Sequence, residues 1–144
     1  FFGPVATWGS YYLLAHSTDV YAIIVGCAPG LVALAIMAIN NMRDRMSDKR
    51  SGKHTLAVMF GEKFSRVLPL AAICGTVLMP VYFSIKHGSA LFFVCSMVSL
   101  VFLGNWQRIA RGPIDRQQNR SLAATGRYGL VYCLVLMIVL FFKA

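Results

Sequence analysis

Acidic residues are scarce in this chain. Its 144 residues include 5 Asp and Glu against 14 Lys and Arg, which gives a formal net charge of +9. Charged residues make up only 13% of the chain and hydrophobic residues 58%, a balance that excludes an ordinary soluble domain. In a soluble protein the basic excess would suggest nucleic acid. We expect no nucleic-acid partner here, because the bases lie between apolar segments, where anionic lipid and phosphate-bearing ligands are better candidates.

Cysteine motifs and a leader segment are also missing. The four cysteines lie far apart inside apolar segments without a CxxC pair, so they indicate neither a zinc site nor a redox pair. No basic stretch followed by a small-residue cleavage site is present, so no signal peptide is visible. The chain opens on Phe1 inside an apolar segment, and we therefore expect it to be part of a longer protein.

Five apolar segments predict an all-α integral membrane protein. They contain no Lys, Arg, Asp or Glu, and they lie near residues 1–15, 20–39, 67–85, 89–106 and 128–142. About 20 helical residues cross a hydrocarbon layer of ~30 Å, and the second and third segments reach that length directly. The shorter last segment is flanked by Arg127 and Lys143, whose long side chains can reach the interface.

The bases alternate between connections. Twelve of the 14 Lys and Arg lie in residues 42–66 and 107–127, while the connections between them are almost uncharged. The positive-inside rule places both basic connections on the cytoplasmic side. We therefore expect a multi-pass protein of the cell's inner (cytoplasmic) membrane, with residues 40–66 as a cytoplasmic loop. The connection 107–127 would cap a site formed by residues 40–66 or contact phosphate. The alternative, which we favour, is that it only contacts anionic lipid.

Polar residues that follow the second apolar segment share one helical face. If that helix continues to Ser51, where Gly52 would end it, a helical wheel gathers six oxygen-bearing side chains within about 120°. They are Asn40, Asn41, Asp44, Ser47, Asp48 and Ser51.

Two carboxylates on this face suggest a metal. Asp44 and Asp48 are one turn apart and repel each other, and no base lies at helical spacing from Asp44. Oxygen-only ligands suit Mg²⁺, which typically takes one or two carboxylates together with substrate phosphates. The flanking arginines suit phosphate groups. A solvated basic loop that only obeys the positive-inside rule would explain the same spacing equally well.

The segment "NNMRDRMSDKRSGKHTLAVMFG", residues 40–61, resembles the second aspartate-rich motif of the UbiA-type intramembrane prenyltransferases. It is most similar to the branch that prenylates 1,4-dihydroxy-2-naphthoate in menaquinone synthesis. The opening "FFGPVATWGSYYLLA" resembles the preceding span of that branch. The motif residues that match are Asn40, Asn41, Arg43, Asp44, Asp48, Gly52, Lys53, Thr55, Leu56, Ala57, Val58 and Gly61.

This resemblance implies a fold and a reaction. The chain, residues 1–144, would be the C-terminal part of one nine-helix domain and supply five of its transmembrane helices. The full enzyme would transfer a polyprenyl group from polyprenyl diphosphate to an aromatic acceptor, giving demethylmenaquinone when that acceptor is 1,4-dihydroxy-2-naphthoate. Asp44 and Asp48 would be catalytic and would ligate Mg²⁺, the implied cofactor. The first acidic motif is missing, so we expect this chain alone to be inactive.

Four further matched residues would bind the substrates. By the same resemblance, Arg43 and Lys53 would contact the diphosphate. Asn40 and Asn41 would orient the aromatic acceptor or support the metal's ligands.

Three alternatives remain at this point. The acceptor could instead be 4-hydroxybenzoate. A CDP-alcohol phosphotransferase would need a D-G-x-x-A-R segment upstream of Asp44, which the chain does not have. A transporter or non-catalytic scaffold is disfavoured, because transport sites commonly carry ionisable residues within the membrane and the apolar segments have none.

Overall fold

The computed structural model describes residues 1–142, which fold into six α-helices and no strand. This is the expected all-α fold class. The core lies where α2, α3, α4 and α6 meet around buried aromatic side chains. The helices are α1 Pro4–Ala15, α2 Val20–Arg50, α3 Leu56–His87, α4 Phe92–Val101, α5 Leu103–Arg111 and α6 Gln118–Phe141.

Three helices, α2, α3 and α6, are long and apolar enough to cross a membrane. The pair α4 and α5, bent by 55° at Phe102, makes a fourth crossing if it is counted as one broken span. Helix α1 has 12 residues, about 18 Å by helical rise, and is too short to cross a ~30 Å layer by itself. The described residues thus give three or four spans where we expected five, and Lys143 lies outside them.

The expected catalytic loop 40–66 is mostly helical, as the continuation of α2 past Asn40 predicted for its first part. Helix α2 continues to Arg50 and α3 begins at Leu56, so only residues 51–55 connect them. The connection 107–127 likewise shrinks to residues 112–117. Hydropathy marks where a helix leaves the lipid and not where it ends, because a solvated helix continues for as long as its backbone hydrogen bonds do.

Helix α2 ends as the sequence predicted. Gly52 adopts φ +72°, a left-handed conformation that favours glycine. The N–H of Gly52 donates to the carbonyl of Lys49 at 3.3 Å, and the N–H of Lys53 donates to the carbonyl of Asp48 at 2.9 Å. These bonds satisfy carbonyls that the helix end leaves free, and the reversal folds Lys53 back over the last turn.

A second glycine divides α3. Gly61 has φ +80° and ψ −170°, a conformation essentially restricted to glycine, so the chain breaks between a short surface turn of helix and the long membrane-crossing part. The hydroxyl of Ser65 donates to the carbonyl of Gly61 at 2.7 Å and satisfies one acceptor at the break. The break places the polar residues Glu62 and Arg66 at the start of the long part.

Pro80 interrupts hydrogen bonding inside α3 without breaking the helix. Proline lacks the N–H that would reach the carbonyl of Thr76 one turn earlier. The hydroxyl of Tyr132 in α6 donates to that carbonyl at 2.8 Å, and the hydroxyl of Tyr128 contacts the Thr76 side chain. Both tyrosines are fully buried. A helix–helix contact therefore supplies the donor that proline removes.

Candidate functional site

An arginine–aspartate pair lies at the polar end of α2. The guanidinium of Arg43 donates from Nε to Asp44 Oδ1 at 2.7 Å and from Nη2 to Asp44 Oδ2 at 2.6 Å. Its Nη2 also donates to Asn40 Oδ1 at 2.8 Å. These residues lie beyond the apolar segment 20–39, in the polar part of α2. Hydrogen bonding by Arg43, and then its charge, lower the pKa of the Asp44 carboxyl, although desolvation opposes the shift.

The same arginine joins α2 to α6. Its Nη1 donates to the side-chain oxygen of Asn119, which is 76 positions away in the sequence. Arg43, Asp44 and Asn119, together with Asp115 and Arg116, line a cleft of about 530 Å³. The two basic connections of the sequence therefore meet at one end of the bundle. The second of them lies over the aspartate site, which is the expectation that we favoured less.

The second motif carboxylate has its own base. Asp48 is only 7% exposed, and Lys53 Nζ lies 3.4 Å from its Oδ1. The two bases that pair with this face therefore come from positions outside helical spacing. Arg43 bonds the carboxylate of Asp44, the next residue in the chain. The turn at Gly52 brings Lys53 back to the carboxylate of Asp48. The half-buried Asn41 has no side-chain hydrogen bond to any described residue.

The donor atoms of this face fit a hard divalent cation shared with a ligand. Within residues 1–142, no three His, Cys, Asp or Glu side chains converge as a preformed metal site. Two carboxylates and two amides are nevertheless the oxygen donors that Mg²⁺ prefers, and Mg²⁺ completes its shell with waters and substrate phosphates. Such a cation would compete with Arg43 for Asp44 and with Lys53 for Asp48.

An apolar groove begins beside the polar cleft. It has a volume of about 730 Å³ and runs along α2 from Asn40 towards the middle of the helix. Asn40 therefore belongs to both sites, because its side chain accepts from Arg43 and also lines the groove. The other lining residues are Phe1, Phe2, Gly30, Ala33, Leu34, Ile36, Met37 and Leu122.

A charged cleft that is connected to an apolar groove through Arg43 and Asn40 suits an amphiphilic ligand. The UbiA prenyltransferase family matches residues 1–125. The chain belongs to this family. It is similar to the 1,4-dihydroxy-2-naphthoate octaprenyltransferase of Escherichia coli strain K12, with 38% identity over 83% of the chain and 35% of that relative.

Two further relatives carry the same description. The Haemophilus influenzae protein is 43% identical over 51% of the chain and 26% of its own length, and the Mycobacterium tuberculosis protein is 37% identical over 54% and 27%. The chain thus spans about a third or less of these relatives. No solved structure matches it. Together with its long apolar helices, the UbiA family membership makes this chain a multi-pass membrane protein.

Sequence reasoning missed three residues of this candidate site. Asp115, Arg116 and Asn119 lie on the connection before α6 and on its first turn, and they line the cleft with the motif residues. One signal was available. Asp115 is the only acid in the basic stretch 107–127, and the positive-inside rule had placed that stretch on the same side as the motif.

A second network holds this connection in place. Arg66 Nη1 donates to the carbonyls of Ile109 at 3.0 Å and Gly112 at 2.9 Å, at the end of α5. Its Nη2 lies 3.0 Å from Glu62, which also lies 3.7 Å from Arg45 in α2. The motif helix, the break in α3 and the connection to α6 are therefore linked by charge-assisted contacts.

Proposed function

We propose that this protein transfers a polyprenyl group from a polyprenyl diphosphate to an aromatic acceptor, 1,4-dihydroxy-2-naphthoate, and gives demethylmenaquinone. The observation that carries this proposal is the position of Asn40, between a cleft lined by arginines and aspartates and a groove lined by apolar side chains. A diphosphate would occupy the cleft, and the attached hydrocarbon chain would follow the groove.

The reaction requires stabilisation of the negative charge on the departing diphosphate in the cleft and exclusion of water from the groove. The bond between the allylic carbon and the diphosphate oxygen breaks, and its electron pair leaves with the diphosphate. The electron-rich ring then attacks the allylic carbon, and the ring carbon loses carbon dioxide in the naphthoate reaction. Cationic groups lower the barrier by stabilising the charge that develops on the leaving group. Apolar walls exclude the water that would capture the allylic cation.

Each motif residue has a place in this scheme. Asp44 and Asp48 would hold Mg²⁺, which when bound neutralises the charge of the departing diphosphate. Lys53, with its mostly exposed side chain, would contact the diphosphate as Asp48 turns to the metal. Arg43 would keep Asp44 ionised and oriented. Two carboxylates are few for a metal–diphosphate site, and we therefore propose that residues 1–144 alone are inactive.

The remaining parts of the proposal are the choice of aromatic acceptor and the orientation of the protein in the membrane. Asn40 lines the groove and bonds Arg43 of the cleft, and Asn41 follows it in α2. Both amides would orient the aromatic ring next to the allylic carbon. The descriptions of the three bacterial relatives favour the naphthoate over 4-hydroxybenzoate. We place the protein in the inner (cytoplasmic) membrane with residues 40–66 on the cytoplasmic side, because both basic connections meet at that end of the bundle.

The test uses the protein expressed from its full open reading frame in membranes. Prenylated product is measured with Mg²⁺, a polyprenyl diphosphate and either acceptor, for wild type, Asp44→Asn and Asp19→Asn. Asp19 caps the opposite end of α2 by accepting from the N–H of Tyr21 at 2.8 Å, and asparagine retains that oxygen. Both variants remove one acid from the same helix.

We expect naphthoate prenylation by wild type and by Asp19→Asn, and a loss of roughly 100-fold or more in Asp44→Asn. Omission of Mg²⁺ should abolish turnover. Product from 4-hydroxybenzoate alone would replace the acceptor in this proposal. Undiminished turnover in Asp44→Asn would remove the carboxylate from the mechanism, and no product with either acceptor would reject the assigned reaction.

A further inference from the structure

Arg43, the residue that the motif assigns to the diphosphate, is already engaged by the protein. Its guanidinium bonds Asp44 through two parallel contacts, and further donors bond Asn40 and Asn119. A guanidinium binds phosphate best when its planar fork is free. To present that fork, Arg43 would have to abandon the carboxylate that it pairs with.

Another arginine in the same cleft is free. Arg116 is exposed and lines the cleft with Asp44 and Asn119, and the ion pairs of residues 1–142 do not include it. No ion pair joins it to the neighbouring Asp115, one of whose oxygens accepts from the backbone N–H of Gln117 at 2.7 Å. The guanidinium of Arg116 can therefore bind a phosphate group, whereas that of Arg43 is already paired with Asp44.

The backbone that carries Arg116 is well held. The buried side chain of Gln118 donates to the carbonyl of Pro113 at 2.8 Å and closes the connection into a compact turn. Arg66 fixes the start of the same connection through the carbonyls of Ile109 and Gly112. A preorganised cation loses less freedom on binding than one on a loose loop.

The geometry points to Arg116 as the arginine that binds the phosphate groups of the prenyl donor, with Arg43 as a positioning residue that Asn119 and Asp44 lock in place. This inference rests on the proposed function, since it names a further ligand-binding residue of the same cleft. It assigns the connection between α5 and α6 to the donor site, where the motif alone would have left it as a basic surface loop.

The test compares Arg116→Gln with Arg111→Gln in the protein expressed from its full open reading frame. Arg111 is an exposed base near the same connection that lines a different cavity, so both variants lose one charge from the same region. We expect Arg116→Gln to raise the KM for polyprenyl diphosphate roughly tenfold or more, with the KM for the acceptor unchanged. Arg116→Lys should recover part of that loss, because lysine keeps the charge but not the fork.

A second readout separates this inference from the proposed reaction. Calorimetric binding of inorganic diphosphate with Mg²⁺ needs no acceptor and no turnover. Weaker binding in Arg116→Gln than in Arg111→Gln would support the inference even if wild type prenylates neither acceptor. Diphosphate binding that is weakened equally in both variants would show that the overall positive charge of this surface attracts diphosphate. That result would overturn the assignment of Arg116. So would diphosphate binding by Arg116→Gln that matches wild type.

Discussion

The guanidinium of Arg66 donates to the carbonyl oxygen of Ile109 across 3.0 Å. In a continued helix this carbonyl would accept from the N–H four residues later, but Pro113 occupies that position and has none. The side chain of one helix thus completes the hydrogen bonding at the end of another. It also fixes the backbone from which Asp115 and Arg116 extend.

Loss of this contact should destabilise the fold. Arg66→Met leaves the carbonyls of Ile109 and Gly112 without their donor, and we expect the free energy of unfolding to fall by about 1–3 kcal/mol. Lys63→Met is the matched control, because Lys63 is an exposed base on the same helix. Reversible unfolding in mixed detergent micelles measures both. Equal stability of the two variants would show that Arg66 does not hold the connection.

The hydrogen bond from Tyr132 to the carbonyl of Thr76 can be tested in two backgrounds, because the proline that makes it necessary, Pro80, can itself be replaced. Tyr132→Phe should lower the free energy of unfolding by about 1–3 kcal/mol, since a buried carbonyl loses its donor. In a Pro80→Ala background the helix supplies its own N–H, so the same change should cost less. Tyr128→Phe is the control, because the Tyr128 hydroxyl bonds the side chain of Thr76 and not the Thr76 carbonyl, which accepts from Tyr132.

The free energies of unfolding of wild type, Tyr132→Phe, Pro80→Ala and the double variant form a double-mutant cycle that tests this compensation. A cost of Tyr132→Phe that is equal in the two backgrounds would contradict the compensation that we describe. A cost of Tyr128→Phe that also fell in the Pro80→Ala background would show general repacking of α6 and not a replaced donor.

Local chemistry predicted the end of α2 but not the partners of its carboxylates. The polar stripe and Gly52 correctly placed the helix end at Ser51. Helical spacing considers neighbours three and four residues away, so it overlooked Lys53, which the turn at Gly52 brings back to Asp48. The contact of Arg43 with Asn119 depends on how α2 packs against α6, and no local pattern encodes it.

Hydropathy located the apolar segments but not the breaks inside helices. Proline is a common cause of helix kinks, yet α3 breaks at Gly61, and α4 bends into α5 at Phe102. Residues 100–103 are all apolar, and a hydropathy profile does not register a change of helix direction within such a stretch. Pro80 stays helical, and Tyr132 donates to the carbonyl of Thr76 that this proline frees.

The break at Gly61 can be tested against a glycine that has no special backbone. Gly61→Ala places a side chain at φ +80° and should cost about 1–3 kcal/mol of unfolding free energy. Gly104→Ala is the control, because its added methyl group meets no atom within 4 Å and its φ is not positive. Thermal unfolding in detergent compares them. If the two variants are equally stable, the conformation at Gly61 imposes no strain.

The groove beside Asn40 predicts how donors of different length respond to a bulky side chain. Ala33 lines the groove, so Ala33→Phe should obstruct the path of a long hydrocarbon tail while leaving the cleft at Arg43 intact. We expect kcat/KM to fall about tenfold for a long polyprenyl diphosphate and little for a short one. Ala71→Phe is the control, since it adds the same ring to an exposed position on α3. An equal loss for donors of every length, or the same profile from Ala71→Phe, would show that the tail does not lie in this groove.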